Sequence, residues 1–195
     1  MSVVVDGSSA GTADVPAVTI GVAIPVPPPY GDELQRWRAE FGDPMAESIP
    51  AHVTLLPPSV VPLAALDDVR AHLHDVARTH DPFDLRLRGT GTFRPVSPVV
   101  FVQVAEGVAQ CEQLERSVRS GVLARDLSFY YHPHVTVAHH LDETALDHAF
   151  DTLSTYEAVF SVTAFSMYEH GTDGVWRPVD VFAFDPVPSG DGRAR

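Results

Sequence analysis

Residues 49–55 read Ile-Pro-Ala-His-Val-Thr-Leu, and residues 132–137 read His-Pro-His-Val-Thr-Val. Both segments contain the pattern His-x-Thr followed by an aliphatic residue, and both follow a proline in a short run that favours a β-strand. The first histidine of this pattern, His52, lies 82 residues before the second, His134. Helix-like and strand-like patterns fill the interval, so the spacing predicts a duplicated lobe with one copy of the motif in each half.

The two motifs have a chemistry that follows from the period of a strand. Side chains at positions i and i+2 point to the same face, about 6.5–7 Å apart. His52 and Thr54 therefore project together, and so do His134 and Thr136. If the two strands face each other across a cleft, two imidazoles and two hydroxyls surround one small volume, which suits a tetrahedral oxyanion.

Histidine can perform both proton transfers that such a site needs. A neutral imidazole takes a proton from an attacking group, and an imidazolium gives a proton to a leaving oxygen. The reaction that matches is attack on a phosphodiester with an alkoxide leaving group, and this chemistry requires no metal. A strained cyclic phosphodiester is the easiest substrate.

The rest of the chain alternates between two kinds of pattern. Apolar and β-branched residues predict strands at residues 18–24, 83–88, 99–104, 159–168 and 175–184. Apolar residues at helical spacing predict four helices, marked by Leu34, Trp37 and Phe41, by Leu66, Val69, Leu73 and Val76, by Cys111, Leu114, Val118 and Val122, and by Ala145, Leu146, Ala149 and Leu153. The sequence His-Gly-Thr-Asp-Gly at residues 170–174 predicts a hairpin turn. Helices and strands mix without strict βαβ alternation, which favours an α+β fold.

The ends of the chain differ from its middle. Residues 1–14 and 188–195 are small, polar and rich in Gly and Ser, so they are predicted to be flexible tails around a folded domain at residues 15–187. No segment approaches the roughly 18 unbroken apolar residues of a membrane span. No basic residue precedes Arg36, so no secretory signal is readable. We expect a cytoplasmic monomer that binds neither a membrane nor a cofactor.

Composition excludes several classes of enzyme and partner. All 13 basic residues are arginine, and a chain without lysine cannot form a Schiff base, a lysyl-nucleotide intermediate or a P-loop. The single Cys111 excludes a disulfide framework and a cysteine-based zinc site, and its place on an apolar helix stripe predicts core packing. The formal charge of −13 disfavours duplex nucleic acid. The expected partner is a small nucleotide-like phosphodiester or a short RNA terminus.

Two other functions remain open at this point. His132, His134, His139 and His140 could form a metal cluster of a metal-dependent hydrolase, since imidazole is a common zinc or iron ligand. A chelator separates this hypothesis from the two-histidine mechanism. The same cleft could also serve a non-catalytic module that binds a nucleotide or another phosphorylated ligand, in which case the ligand would stay unchanged after long incubation.

The paired motifs resemble those of the two-histidine phosphoesterases, also called the 2H or 2′-5′ RNA ligase-like superfamily. The segment Ala-His-Val-Thr-Leu-Leu-Pro-Pro at residues 51–58 is similar to a bacterial branch of that superfamily. The resemblance covers residues 15–187. It implies a bilobal α+β fold with two pseudo-symmetric, mainly antiparallel sheets, helices on the outside and a central cleft.

The resemblance also implies an activity and a set of roles. The activity is metal-independent opening of 2′,3′-cyclic phosphates or related nucleotide phosphodiesters. By this resemblance His52 and His134 are the acid–base pair, and Thr54 and Thr136 bind the phosphate. Hydrolysis is the expected reaction and RNA ligation is not, since no feature of the chain indicates ligation.

One departure from the family pattern concerns the charge beside the second motif. Members that act on RNA ends often continue as His-x-Thr-x-Gly-Arg, whereas this chain has Ala138, His139 and His140 at those places. His139 supplies only a partial charge at neutral pH, so a fixed cation is expected from Arg94 or from another arginine. Aromatic side chains near the motifs could stack on a base. The candidate substrate-binding residues are Arg94, Tyr131, His139 and Tyr168.

Overall fold

The computed structural model describes residues 15–127 and 129–185, so the predicted tails at residues 1–14 and 188–195 lie outside the described residues. In chain order the elements are β1 (Ala17–Pro25), α1 (Tyr30–Glu40), β2 (His52–Pro62), α2 (Leu66–Arg78), β3 (Phe83–Thr92), β4 (Val99–Glu106), α3 (Val108–Val118), β5 (His134–His139), α4 (Glu143–Thr152), β6 (Glu157–Val162), β7 (Ala164–His170) and β8 (Trp176–Ala183). The predicted α+β class is confirmed. Within these residues, no helix is both long enough and apolar enough to cross a bilayer.

The strands form two four-stranded antiparallel sheets, and each sheet carries one motif strand at its edge. The first sheet has the order β2-β1-β7-β8, and the second has the order β5-β4-β3-β6. The second sheet is continuous in sequence, whereas the first combines strands from both sides of it. The edge strands β2 and β5 contact each other, so the two motifs meet where the sheets join.

The motif strands follow the predicted alternation. Val53 and Leu55 in β2 and Val135 and Val137 in β5 are fully buried, whereas the histidine and threonine of each motif are half-buried on the other face. Each buried Val or Leu side chain stabilises the fold by about 1.5–3 kcal/mol. The aliphatic positions therefore anchor both strands in the core and direct the polar positions out of it.

Two helices pack against the motif strands at the place where the two sheets meet. α1 lies against β5 of the second sheet, and α3 lies against β2 of the first. The ring of Tyr30 at the start of α1 is 6.3 Å from the ring of Phe160 in β6. Because each motif strand is covered by a helix from the other half of the chain, the position of one motif relative to the other is fixed by the core.

One predicted strand proved to be two. Residues 159–168 contain the end of β6 and most of β7, which belong to different sheets and are separated at Thr163. The backbone carbonyl of Thr163 accepts a hydrogen bond of 2.9 Å from the Phe184 N–H. Threonine favours strands, so the local pattern contains no break. The break is decided by which sheet each half pairs with.

The third helix is shorter than its apolar pattern predicts. It ends at Val118, and Val122 lies in a short 3₁₀ turn at Gly121–Leu123, where its side chain is 58% exposed. The helix is capped at Arg119 and Ser120 is extended, and Gly121 then has a φ of +54°, a left-handed conformation that glycine adopts without strain. The hairpin predicted at residues 170–174 is confirmed, since it joins the antiparallel strands β7 and β8.

Candidate active site

A cavity of about 210 Å³ lies where the two motif strands meet. Its polar wall residues come from four elements of both lobes and are Arg38, His52, Thr54, Thr136, His139 and Tyr168. The remaining wall is mainly apolar and includes β1 and the start of β8. Five of the eight residues proposed from sequence as site residues therefore line one cavity.

His52 is held in a defined tautomer by its own backbone. Its Nδ1 lies 2.6 Å from the carbonyl oxygen of Pro50. A carbonyl can only accept, so Nδ1 carries the proton and Nε2 is the basic nitrogen of the neutral ring. Nε2 is 3.2 Å from the Thr54 hydroxyl, which donates to it. Burial lowers the pKa of His52, and the Arg38 guanidinium lowers it further, against the opposing effect of the Pro50 carbonyl.

His134 repeats this arrangement in a more aromatic setting. Its Nδ1 donates to the carbonyl of His132 at 2.6 Å. The ring meets Phe93 edge-on at 4.9 Å and tilts against Phe101 at 5.0 Å. Burial lowers the pKa of His134 to about 4, and positive charge on His132 and His52 acts in the same direction. The basic nitrogen is again Nε2.

The second motif reaches the cavity through its threonine. Thr136 is a wall residue, whereas His134 is not among the wall residues. Both project from one face of β5, because they are two positions apart in a strand. Positive charge on His52 would lower the pKa of His134.

The burial of both rings predicts an acid-shifted titration. We expect the His134 imidazole to titrate with a pKa of about 4, and that of His52 to titrate below 6.5. Addition of inorganic phosphate should raise both pKa values, because a nearby anion favours the charged imidazolium. Histidine Cε1–H chemical shifts measured against pH, with and without phosphate, check this. Midpoints at or above 6.5 in the phosphate-free protein would contradict the burial of these rings.

Arg38 is a functional candidate that the sequence analysis missed. It lies on the inner face of α1 between Leu34 and Phe41, and it is only 4% exposed. Its Nε donates to the Asp43 carboxylate at 2.7 Å, and Nη1 donates to the Ile49 carbonyl at 3.3 Å. The signal was present in the sequence, since an arginine interrupts the apolar stripe of a helix. A buried charge needs a partner, and Asp43 follows five residues later.

Two of the predicted binding residues lie elsewhere. Arg94 is not among the wall residues, and its Nη1 is 2.6 Å from Glu143 and 2.9 Å from Asp147, both on α4. Those carboxylates compensate its charge outside the cavity. The Tyr131 hydroxyl donates to the backbone carbonyl of Thr54 at 3.0 Å, so Tyr131 holds the motif strand in place instead of lining the cavity.

The four histidines of the metal hypothesis do not converge. His139 and His140 stack face to face at 3.7 Å, and the rings of His132 and His134 are 6.2 Å apart. In residues 15–127 and 129–185, no group of three or more His, Cys, Asp or Glu side chains is placed to hold a metal ion. Burial lowers the pKa of His139, so this ring is neutral near pH 7 and supplies no fixed charge.

Comparison with known proteins gives consistent matches in sequence and in structure. Residues 25–174 match the sequence profile of the 2′-5′ RNA ligase superfamily. A candidate phosphoesterase of Bacillus licheniformis is 28% identical over 153 residues, which cover 77% of this chain and 89% of the relative. Another candidate phosphoesterase, from Halalkalibacterium halodurans, is 31% identical over 121 residues, which cover 62% of this chain and 70% of the relative.

The fold is similar to that of LigT from Escherichia coli. The structure of LigT with NADP+ superimposes with a TM-score of 0.65 at 20% identity, covering 86% of this chain and 98% of LigT. The structure with 3′-AMP gives a TM-score of 0.63 at 18% identity over the same shares. At this level of identity, the likeness establishes the arrangement of the two sheets.

Proposed function

The chain belongs to the 2′-5′ RNA ligase superfamily, the two-histidine phosphoesterases, and we propose that it opens a cyclic phosphodiester of a small nucleotide by acid–base catalysis. His52 and His134 are the proposed acid–base pair. The observation that carries the proposal is the single cavity in which His52, Thr54 and Thr136 from both motifs come together beside the buried Arg38.

The cavity offers three groups to the phosphoryl oxygens. The hydroxyls of Thr54 and Thr136 can donate to the non-bridging oxygens. The Thr54 hydroxyl donates to His52 Nε2, and an oxygen of a bound phosphate would accept that hydrogen bond instead. The Arg38 guanidinium supplies the fixed positive charge that is absent after the second motif, and the Asp43 carboxylate holds its orientation.

Hydrolysis then proceeds with balanced proton transfers. One imidazole, neutral at Nε2, takes a proton from water while the water oxygen forms a bond to phosphorus. The bond from phosphorus to one ring oxygen breaks, and the other imidazole, protonated at Nε2, gives its proton to that oxygen. The products are a phosphomonoester and a free hydroxyl. Nδ1 of each ring keeps its hydrogen bond to a backbone carbonyl throughout, so only Nε2 moves protons.

The lowered imidazole pKa values fit this order of proton transfers. Burial is the largest cause that lowers the pKa of each ring, so both rings favour the neutral form before an anion binds. A phosphodiester anion raises the pKa of a nearby imidazole. Substrate binding therefore favours protonation of the imidazole that acts as the general acid. The specificity constant is therefore expected to peak on the acid side of neutrality, between the two imidazole pKa values.

The size and charge of the molecule support a small substrate. A cavity of about 210 Å³ holds a mononucleotide better than a long strand. The net charge of −13 repels extended nucleic acid. LigT, which shares the fold, has been crystallised with 3′-AMP, ATP and NADP+, and nucleotides are accordingly the first ligands to test.

Phosphorus NMR tests the proposal directly. The substrates are 2′,3′-cyclic nucleotides, oligonucleotides with cyclic-phosphate ends and cyclic ADP-ribose phosphates, each with EDTA present. We expect the cyclic-phosphate signal of at least one mononucleotide to be replaced by that of a monoester, at a rate that EDTA does not change. Activity that EDTA abolishes and one metal ion restores would overturn the two-histidine mechanism.

One observation favours a second candidate, a non-catalytic nucleotide-binding module. His134 is packed among Phe93, Phe101 and His132 and is not part of the cavity wall. If substrate binding does not bring its Nε2 to the reacting atoms, the cavity binds a phosphate without cleaving it. In the NMR experiment this alternative gives ligand-dependent line broadening with an unchanged phosphorus spectrum after long incubation.

A further inference from the structure

The part of the cavity formed by β1, β7 and β8 is apolar and carries two aromatic rings. Tyr168 and Trp176 line the cavity together with the backbone of Gly21. Tyr168 lies opposite Gly21 in the first sheet, and its ring centre is 6.5 Å from that of His52. The aromatic surface therefore starts next to the first catalytic histidine and extends away from it.

Trp176 lies directly on the sheet because β1 has a glycine there. A Cβ atom built at Gly21 would stand 3.2 Å from Cζ3 and 3.7 Å from Cη2 of the indole. Glycine within a strand marks a place where another group approaches the backbone closely. The indole uses this space, and a Cβ at position 21 would require it to shift by a few tenths of an ångström.

Trp176 is also anchored through its backbone and through one ring contact. The Trp176 backbone N–H donates to the Ser48 carbonyl at 2.9 Å, and the indole ring is 4.9 Å from the ring of His170. The half-buried indole, with its main chain hydrogen-bonded and its ring packed against His170, presents an aromatic surface to the cavity. A pre-ordered aromatic surface loses little side-chain entropy when a planar group stacks on it.

We propose that Tyr168, Trp176 and the backbone of Gly21 form a nucleobase subsite, so that the substrate is a nucleoside cyclic phosphate recognised through its base. This inference rests on the proposed function, because it places the phosphate at Thr54 and Thr136. A phosphate there and a base on the indole are joined by a ribose that passes His52. The neutral, apolar character of the wall suits an uncharged planar ring, whereas a cyclic phosphate on a bare sugar leaves this surface exposed to water.

Binding measurements on the full chain test the subsite without relying on turnover. The probes are adenosine 2′-monophosphate and inorganic phosphate, measured by calorimetry with the wild type and with Trp176→Ala and Trp176→Phe. We expect Trp176→Ala to weaken the nucleotide by about 5- to 150-fold, the range of base–aromatic stacking. Phosphate affinity should not change, and Trp176→Phe should keep most of the nucleotide affinity. Equal loss for both probes, or no loss for either, would overturn the subsite.

Two further measurements guard against a variant that fails to fold. In Trp37→Phe, the remaining indole of Trp176 should be quenched by adenosine 2′-monophosphate and not by phosphate, and unchanged fluorescence with the nucleotide would refute stacking. Gly21→Ala requires the indole to shift by a few tenths of an ångström, and any loss of affinity that follows should affect the nucleotide and not phosphate. An equal loss of nucleotide and phosphate affinity in Gly21→Ala would count against the subsite.

Hydrolysis rates separate this inference from the function on which it rests. The matched substrates are adenosine 2′,3′-cyclic phosphate and methyl riboside 2,3-cyclic phosphate, which differ in the base. If both are hydrolysed with the same specificity constant, the proposed catalytic function is supported and the base subsite is wrong. If neither is hydrolysed while the nucleotide still binds through Trp176, the subsite stands and the catalytic proposal is wrong.

Discussion

Replacing His52 with asparagine is expected to lower the turnover of a cyclic phosphodiester by about 10²–10⁴, and replacing His134 with asparagine by a similar factor. Asparagine keeps an N–H that can reach the Pro50 or His132 carbonyl now bonded to Nδ1. It removes the Nε2 nitrogen that moves the proton. Initial rates at saturating substrate, followed by phosphorus NMR, measure the effect. An intact rate in either variant would contradict the acid–base assignment.

His132 offers a matched control for this experiment. Its ring is 6.2 Å from that of His134 and contacts the same two phenylalanines, Phe93 and Phe101. The atom that His134 needs from it is the backbone carbonyl, which His132→Asn preserves. Turnover in this variant should stay close to that of the wild type. The double variant of His52 and His134 should be only slightly slower than either single one, because the two groups act as a unit.

The motif strands could be predicted from the sequence because their signal is local. The alternation of His52, Val53, Thr54 and Leu55 fixes which side chains share a face, whatever the rest of the chain does. The second motif has the same pattern. Their meeting in one cavity could be expected only from the repeat of the motif and from the resemblance to a known family.

The assembly of the first sheet could not be read in the same way. Its strands β1 and β2 come from the start of the chain, whereas β7 and β8 come from its end. The separation of β6 from β7 at Thr163 depends on those long-range pairings, and no glycine or proline marks it. Local propensity describes each strand but not the sheet that the strand joins.

The errors in the site have a related cause. Arg94 is a candidate for the missing fixed cation because of its charge, but its partners Glu143 and Asp147 lie far along the chain on α4. Trp176 follows a hairpin and has no pattern that predicts stacking over β1. Arg38 alone carried a readable signal, because a charge on the inner face of an amphipathic helix requires a buried partner or a ligand.

Replacing Arg38 with glutamine is expected to weaken the binding of inorganic phosphate by roughly 10- to 150-fold. Hydrogen bonds to charged groups contribute about 1.5–3 kcal/mol, and each 1.4 kcal/mol is a factor of ten. Arg38→Lys keeps the charge but loses the planar guanidinium. Its affinity for phosphate should therefore lie between those of the wild type and Arg38→Gln. Calorimetric titration with phosphate at constant ionic strength gives the affinities. Arg94→Gln is the matched control, since that guanidinium is bound to α4 and its removal should leave phosphate affinity unchanged.

The buried partner of Arg38 decides how this result is interpreted. Loss of the guanidinium leaves the Asp43 carboxylate buried without its cation, which costs about 3–5 kcal/mol of folding free energy. The double variant Arg38→Gln/Asp43→Asn removes both charges and should recover stability, measured by thermal unfolding, without recovering phosphate affinity. If Arg38 only supports the fold, the double variant binds phosphate as the wild type does. A stable double variant with weak phosphate binding assigns the cation of the anion site to α1, a helix that contains neither motif.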